Sequence, residues 1–206
     1  LADAHGSVVH LYERDCSIQR RHQKLIEVAP SPQLDETQRA WLGETAGRAA
    51  RAVGYVNAVT VEFLMDRNSN FWFMEMNTRL QVEHTITEAI TGIDIEQEQI
   101  RVADGLPLGF SQADIHKRGF AMELRITAED PQNDCLPSSG RITRYFAPGG
   151  PGVRTDAAIS TGYHIPPHYD SMCAKLVVWA LDWPQLLNRA RRALQDIGVY
   201  GVKTTI

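Results

Sequence analysis

Five polar side chains alternate along Glu75-Met76-Asn77-Thr78-Arg79-Leu80-Gln81-Val82-Glu83: two carboxylates, two amides and a guanidinium within nine residues. Alternation on a strand places Phe71, Phe73, Glu75 and Asn77 on one face. Glu75 and Asn77 then offer two oxygen ligands side by side, as a hard cation such as Mg²⁺ requires. Upstream, Val59-Thr60-Val61-Glu62-Phe63-Leu64 reads as a second strand, joined to the first through the turn-rich Asp66-Arg67-Asn68-Ser69-Asn70. The hairpin brings Glu62 beside Glu75. Two adjacent carboxylates repel unless a cation lies between them, and a metal that also holds phosphate oxygens fits that place. A polar edge strand would carry charges too, but it gives no reason for acids followed by Arg.

Other elements must frame this hairpin. Leu34-Asp35 with Gln38 reads as a staple and capping box, opening a helix that buries Trp41, Leu42, Ala46, Ala49, Ala50 and Val53 and ends at Gly54. A second helix runs from about Asp94 to Ala103, stopped by Gly105 and Pro107. In the last, Asp182 caps, Pro184 sits in the first turn, and Leu186, Leu187, Ala190, Ala193, Leu194 and Ile197 form one apolar stripe before Gly198. Beyond His116-Lys117-Arg118-Gly119 the pattern changes to strands: Phe120 to Thr127, Arg141 to Phe146, and Ala174 to Ala180. The class is α+β, with segments 1–115 and 116–206. In Phe120–Thr127 the set Ala121, Glu123, Arg125 and Thr127 shares a face, which taken alone reads as a surface Glu–Arg pair of little energetic weight.

The chain has 206 residues, 43% hydrophobic and 22% charged, with net charge −4. That is an ordinary globular composition. There is no basic excess for duplex nucleic acid, and no apolar run approaches the ~20 residues of a membrane span. Cys16, Cys135 and Cys173 are odd in number and scattered, pointing to a reducing compartment and to neither a disulfide framework nor a zinc site. No leader-like charged and apolar regions open the sequence.

Glu75-Met76-Asn77-Thr78-Arg79-Leu80-Gln81-Val82-Glu83-His84 resembles the signature of biotin carboxylases, the ATP-grasp ligase components of biotin-dependent carboxylases. Glu13-Arg14-Asp15-Cys16-Ser17-Ile18-Gln19-Arg20-Arg21-His22-Gln23-Lys24 is similar to the family as well. So are Ala128-Glu129-Asp130-Pro131, Leu136-Pro137-Ser138, Ala147-Pro148-Gly149-Gly150 and Tyr169-Asp170-Ser171-Met172. The motifs fall in the family's order along the whole chain, which resembles the carboxy-terminal half of such a protein. The resemblance implies the carboxy-terminal lobe of an ATP-grasp domain followed by a small, mainly antiparallel biotin carboxylase carboxy-terminal domain. The family's phosphate loop and lid are not in this sequence.

The resemblance also implies roles. ATP is contacted by Gln19, His22, Glu62, Leu64 and Glu75, with Leu64 under the base. Glu62, Glu75 and Asn77 hold Mg²⁺ or Mn²⁺. Bicarbonate is held by Lys24, Arg79, Gln81 and the backbone N–H of Val82; a planar anion suits a bidentate Arg. Glu83 matches the general base, ionised at neutral pH beside cations. Arg125 matches the residue that stabilises charge on the biotin ureido oxygen, where a fixed, always-charged guanidinium serves well. Biotin on a carrier protein or domain is the carboxyl acceptor. A carboxyltransferase and a homodimer of the complete chain are expected partners, in the cytoplasm or, for a eukaryotic source, the mitochondrion. The sequence departs from the family at Asn57-Ala58-Val59-Thr60, Thr85, Cys135 and Ser139, none of them assigned to chemistry. The segment Ala147–Asp156 and the tail Gly198–Ile206 look closer to pyruvate or 2-oxo-acid carboxylases of the separate-subunit kind; acetyl-CoA and propionyl-CoA carboxylases stay open. Two other classes remain: a bicarbonate-using ATP-grasp ligase resembling carbamoyl phosphate synthetase, and a non-catalytic fragment that serves in assembly.

Overall fold

The computed structural model describes all residues, Leu1–Ile206. In chain order the elements begin with β1 (Asp15–Arg20), β2 (Gln23–Ala29), α1 (Glu36–Ala52), β3 (Thr60–Met65), β4 (Phe71–Asn77), α2 (His84–Thr91) and α3 (Ile95–Ala103). They continue with β5 (Phe120–Thr127), β6 (Glu129–Asp130), β7 (Leu136–Pro137), β8 (Gly140–Arg141), β9 (Arg144–Phe146) and β10 (Val153–Ala157). Last come β11 (His164–Ile165), β12 (Met172–Ala180), α4 (Trp183–Asp196) and β13 (Gly198–Tyr200). The chain divides into two compact units, Leu1–Arg14 with Ala29–Arg118, and Asp15–Val28 with Gly119–Ile206. The sequence suggests a single boundary at 115/116. The hairpin β1–β2 instead counts with the second unit, because β2 lies beside β5 in its sheet.

In the first unit, α1 starts as its sequence specifies. The Gln38 N–H donates to Asp35 Oδ1 at 2.8 Å, and the Asp35 N–H donates back to Gln38 Oε1 at 3.0 Å, so each satisfies a donor that the first turn leaves open. Its buried stripe differs from the expected one. Arg39, Leu42, Gly43, Gly47 and Ala50 face inward, while Trp41 and Val53 are exposed. Gly43 decides this, since a Cβ there would sit 2.5 Å from His10 Nε2; the helix approaches the His10 ring on its glycine side. Arg39 is ion-paired with Glu13, and Glu13 Oε1 also accepts the Ser31 N–H at 2.9 Å. Asp94 caps α3 by accepting the Gln97 N–H at 2.8 Å. The core gathers Val9, Leu11, Ala58, Ile95, Val102, Leu108 and Ile115.

The second unit is built on a five-stranded sheet of order β1-β2-β5-β12-β10. The pairs β1–β2, β5–β12 and β10–β12 are antiparallel. Helix α4 covers one face. Leu186, Ala190 and Ala193 pack on Val28, Met122, Leu124, Leu176 and Val178, and full burial of each Val or Leu side chain contributes about 1.5–3 kcal/mol. The expected strand Arg141–Phe146 is split into β8 and β9, which pair with β11 and β13. Gly198 opens β13 and does not cap α4 in a left-handed conformation. Its lack of a Cβ serves packing, since a Cβ would lie 2.8 Å from the Tyr200 ring.

Candidate active site

The hairpin β3–β4 places Glu62 directly opposite Glu75 and Thr60 opposite Asn77. One step further the register slips: Phe63 pairs with Phe73, leaving Met74 as the extra residue of a β-bulge. The bulge reverses the parity of everything beyond it. Alternation alone puts Phe71 and Phe73 on the face of Glu75; the structure puts them on the other. There Trp41 stacks on Phe71 with centroids 5.5 Å apart, and Phe63 meets Phe73 edge-on at 6.3 Å. Glu62, Glu75, Asn77, Leu64 and Trp72 share the opposite face. Leu64 and its cross-strand partner Trp72 are 58% and 62% exposed, an apolar shelf next to the carboxylates.

The polar side chains on that face are linked. The Asn77 amide nitrogen donates to Glu75 Oε1 at 2.8 Å and to Glu62 Oε1 at 3.2 Å. Gln81 Nε2 donates to the same Glu62 oxygen at 2.5 Å, and Gln81 Oε1 accepts from Arg14 Nη2 at 2.7 Å. Strand β4 ends at Asn77, so the alternating row does not continue as a strand. Residues 78–83 bend and turn, closed by the His84 N–H donating to Gln81 O at 3.2 Å. The row therefore separates: Gln81 and Glu83 are buried, whereas Arg79 is exposed and donates to Leu80 O at 3.3 Å. Val82 lies within the turn. Glu83 takes the N-cap position of α2 without capping it by its side chain, and a helix N-terminus stabilises negative charge placed there.

The facing carboxylates and an amide fit a divalent cation of the Mg²⁺ type, which takes one or two carboxylates and completes its shell with phosphate oxygens and water. No group of three or more His, Cys, Asp or Glu assembles in the chain, so the remaining ligands would come from substrate. Rotation of the Asn77 amide exchanges its nitrogen for its oxygen toward that place.

Gln19, His22, Lys24 and Arg125 belong to the second unit. Gln19 on β1 lies opposite Lys24 on β2 and donates from Nε2 to Cys16 O at 2.8 Å. His22 is exposed at the hairpin turn with φ +65°. On β5, Arg125 donates from Nε to Glu27 Oε1 at 2.6 Å, with Glu123 Oε1 at 3.9 Å. Both glutamates are fully buried and the Arg125 side chain is only 17% exposed, so this is no surface pair. Lys175 on β12 stands directly opposite Arg125 and lies 3.8 Å from Asp156, which balances the two buried acids. The structure thus brings Glu62, Glu75, Asn77 and Gln81 together, with Leu64 alongside and Glu83 following. Sequence patterns alone do not single out Glu27 or Arg14. The signal for Glu27 is an acid inside the apolar run Leu25-Ile26-Glu27-Val28-Ala29.

Residues 1–111 match the family described as carbamoyl-phosphate synthase L chain, ATP binding domain, and residues 123–206 match the biotin carboxylase C-terminal domain. The chain belongs to the biotin carboxylase family. It is 53% identical over 206 residues to the biotin carboxylase of Nostoc sp., covering all of this chain and 46% of that relative. It is 55% identical to a separately encoded pyruvate carboxylase subunit of Methanothermobacter thermautotrophicus, covering all of this chain and 42% of the relative. The fold agrees, at TM-score 0.98 and 52% identity, with the biotin carboxylase domain dimer of Hydrogenobacter thermophilus 2-oxoglutarate carboxylase, whose crystals hold MgADP, ADP and bicarbonate; the match covers all of this chain and 45% of that one. The chain therefore spans less than half the length of these biotin carboxylase relatives.

Proposed function

We propose that this chain is the carboxy-terminal part of a biotin carboxylase that uses ATP, Mg²⁺ (or Mn²⁺) and bicarbonate to carboxylate biotin on a carrier protein or domain. The observation that carries the reading is the facing Glu62–Glu75 pair bridged by Asn77, with Glu83 buried a few residues on at the start of α2. Glu62, Glu75 and Asn77 hold the cation, which neutralises charge on the phosphates in transfer. Leu64 packs under the purine, and Gln19 and His22 contact the nucleotide. Lys24, Arg79, Gln81 and the Val82 N–H hold bicarbonate. Glu83 accepts its proton as a bicarbonate oxygen attacks the γ-phosphorus and ADP departs, giving carboxyphosphate. That species breaks into CO₂ and phosphate, phosphate removes the proton from biotin N1′, and N1′ attacks CO₂. Arg125 stabilises the charge that develops on the ureido oxygen. The complete chain acts as a homodimer, served by a biotin carrier and a carboxyltransferase. Pyruvate or another 2-oxo acid is the final acceptor, in keeping with the separate-subunit carboxylases among its relatives.

The test is ADP release by the full-length parent protein with Mg²⁺, ATP and bicarbonate, with and without free biotin. Release rises with biotin, and Glu83→Gln lowers turnover by about 10²-fold while nucleotide binding stays nearly intact. Release indifferent to biotin favours a bicarbonate-using ligase of the carbamoyl-phosphate synthase type, to which the description of residues 1–111 also points. The biotin carboxylase match over residues 123–206 favours biotin.

A further inference from the structure

Arg14 has none of the roles above, yet it is bound to their centre. Its Nη2 donates to Gln81 Oε1 at 2.7 Å and to Thr60 Oγ1 at 3.1 Å, and its Nη1 donates to Thr87 Oγ1 at 2.8 Å. We infer that Arg14 is a positioning residue for the carboxylate Glu62, acting through the side-chain amide of Gln81. The inference rests on the reading of Glu62 and Glu75 as metal carboxylates.

The chemistry of the three groups sets the direction. A guanidinium carries donors only, an ionised carboxylate acceptors only, and an amide one end of each kind. With Arg14 on one side of Gln81 and Glu62 on the other, one orientation of the amide satisfies both: oxygen toward Arg14, nitrogen toward Glu62. The flipped amide would set donor against donor and acceptor against acceptor. Gln81 is buried, so a misplaced amide could not turn to water for relief, and a buried mismatch costs about 1–3 kcal/mol. Arg14 also ties together three pieces of chain that must stay in register. Thr60 is the cross-strand partner of Asn77, Gln81 sits in the turn, and Thr87 lies in α2. A lysine in its place would keep the charge but could not span these three acceptors with a planar fork. Without the fork, Gln81 no longer fixes the Glu62 oxygen that Asn77 also binds, and the pair of carboxylates loses its set spacing.

The full-length parent protein is compared with Arg14→Lys and Thr87→Val variants. Each is titrated with Mn²⁺ at saturating ADP, free Mn²⁺ being read by electron paramagnetic resonance, beside an ADP titration without metal and a thermal melt. Arg14→Lys weakens Mn²⁺ binding by about tenfold or more and Thr87→Val by less in the same direction, while metal-free ADP affinity stays within about twofold. Unchanged Mn²⁺ affinity in both variants overturns the inference. So does a parallel loss of Mn²⁺ and metal-free ADP binding, the behaviour of a merely structural residue. If Arg14→Lys does not fold, Thr87→Val decides by the same criteria. A wild-type protein that binds Mn²⁺ with ADP but shows no biotin-stimulated ADP release refutes biotin carboxylation and leaves the role of Arg14 standing. A wild-type protein that binds no Mn²⁺ overturns both.

Discussion

Glu27 is a residue whose meaning changes with its surroundings. On a solvated strand it would be one more surface acid; here it is fully buried and holds Arg125 by its Nε at 2.6 Å. Removing one member of a buried ion pair strands the other charge, at a cost of about 3–5 kcal/mol. Glu27→Ala is therefore expected to fall at the lower end of that range, because Glu123 remains 3.9 Å from the same guanidinium; urea unfolding of the wild type and variant measures it. Cys173 shows burial acting on a neutral group. Its thiol is pushed up to about 11 by burial in the second unit's core, so it reacts with a thiol reagent at pH 8 far more slowly than the half-buried Cys16 and Cys135. The unfolded chain gives up this proton at lower pH than the folded one. Folding stability conferred by the neutral thiol is thus complete below the ordinary thiol range and is lost as pH rises toward about 11. Cys173→Ala should flatten that alkaline decline in a series of denaturant midpoints from pH 8 to 11; an unaltered slope would assign the decline to other groups.

At the scale of elements, the bulge at Met74 matters most, since it sorts the carboxylates from the aromatic side chains. Deleting Met74 restores simple alternation and carries Phe71 and Phe73 onto the face of Glu75, as any one-residue slip does. The deletion should abolish Mn²⁺ binding and lower the melting temperature through loss of the Trp41 stack. A variant that keeps metal affinity would show that the bulge is incidental. No pattern of residue types announces this bulge, because an unpaired residue is defined by its partner strand. The helix caps are different. Asp35 with Gln38, Asp94 with Gln97 and Asp182 with Gln185 are local, and all three are legible in the sequence. Strand β5 is legible from its alternation, but the burial of both its faces is not, because that depends on what packs from elsewhere in the chain. Helix α2 is hidden for a local reason. It has eight residues and an N-cap, Glu83, whose side chain makes no cap bond, so the polar alternation before it reads on as strand.

At the scale of the whole chain, two units carry separate apolar cores. One is built from Val9, Leu11, Ile95, Val102 and Leu108, the other from Met122, Leu124, Leu176, Val178 and Leu186. The family motifs make the order of these units legible, but the placement of β1–β2 in the second is not, since strand pairing across about a hundred residues leaves no local mark. The same segment, Glu13 to Lys24, supplies Arg14 to the first unit and Lys24 to the second, so one short stretch serves both. Separate cores have a consequence for how the chain opens. Leu186 is fully buried in the second, and Leu186→Ala should cost about 2–5 kcal/mol through the cavity it leaves. Hydrogen exchange read by mass spectrometry then becomes at least about tenfold faster for amides of β5, β12 and α4, while those of α3 keep their wild-type rates, because opening free energies differ between cooperative units. Equal acceleration in α3 would mean that the two cores unfold as one.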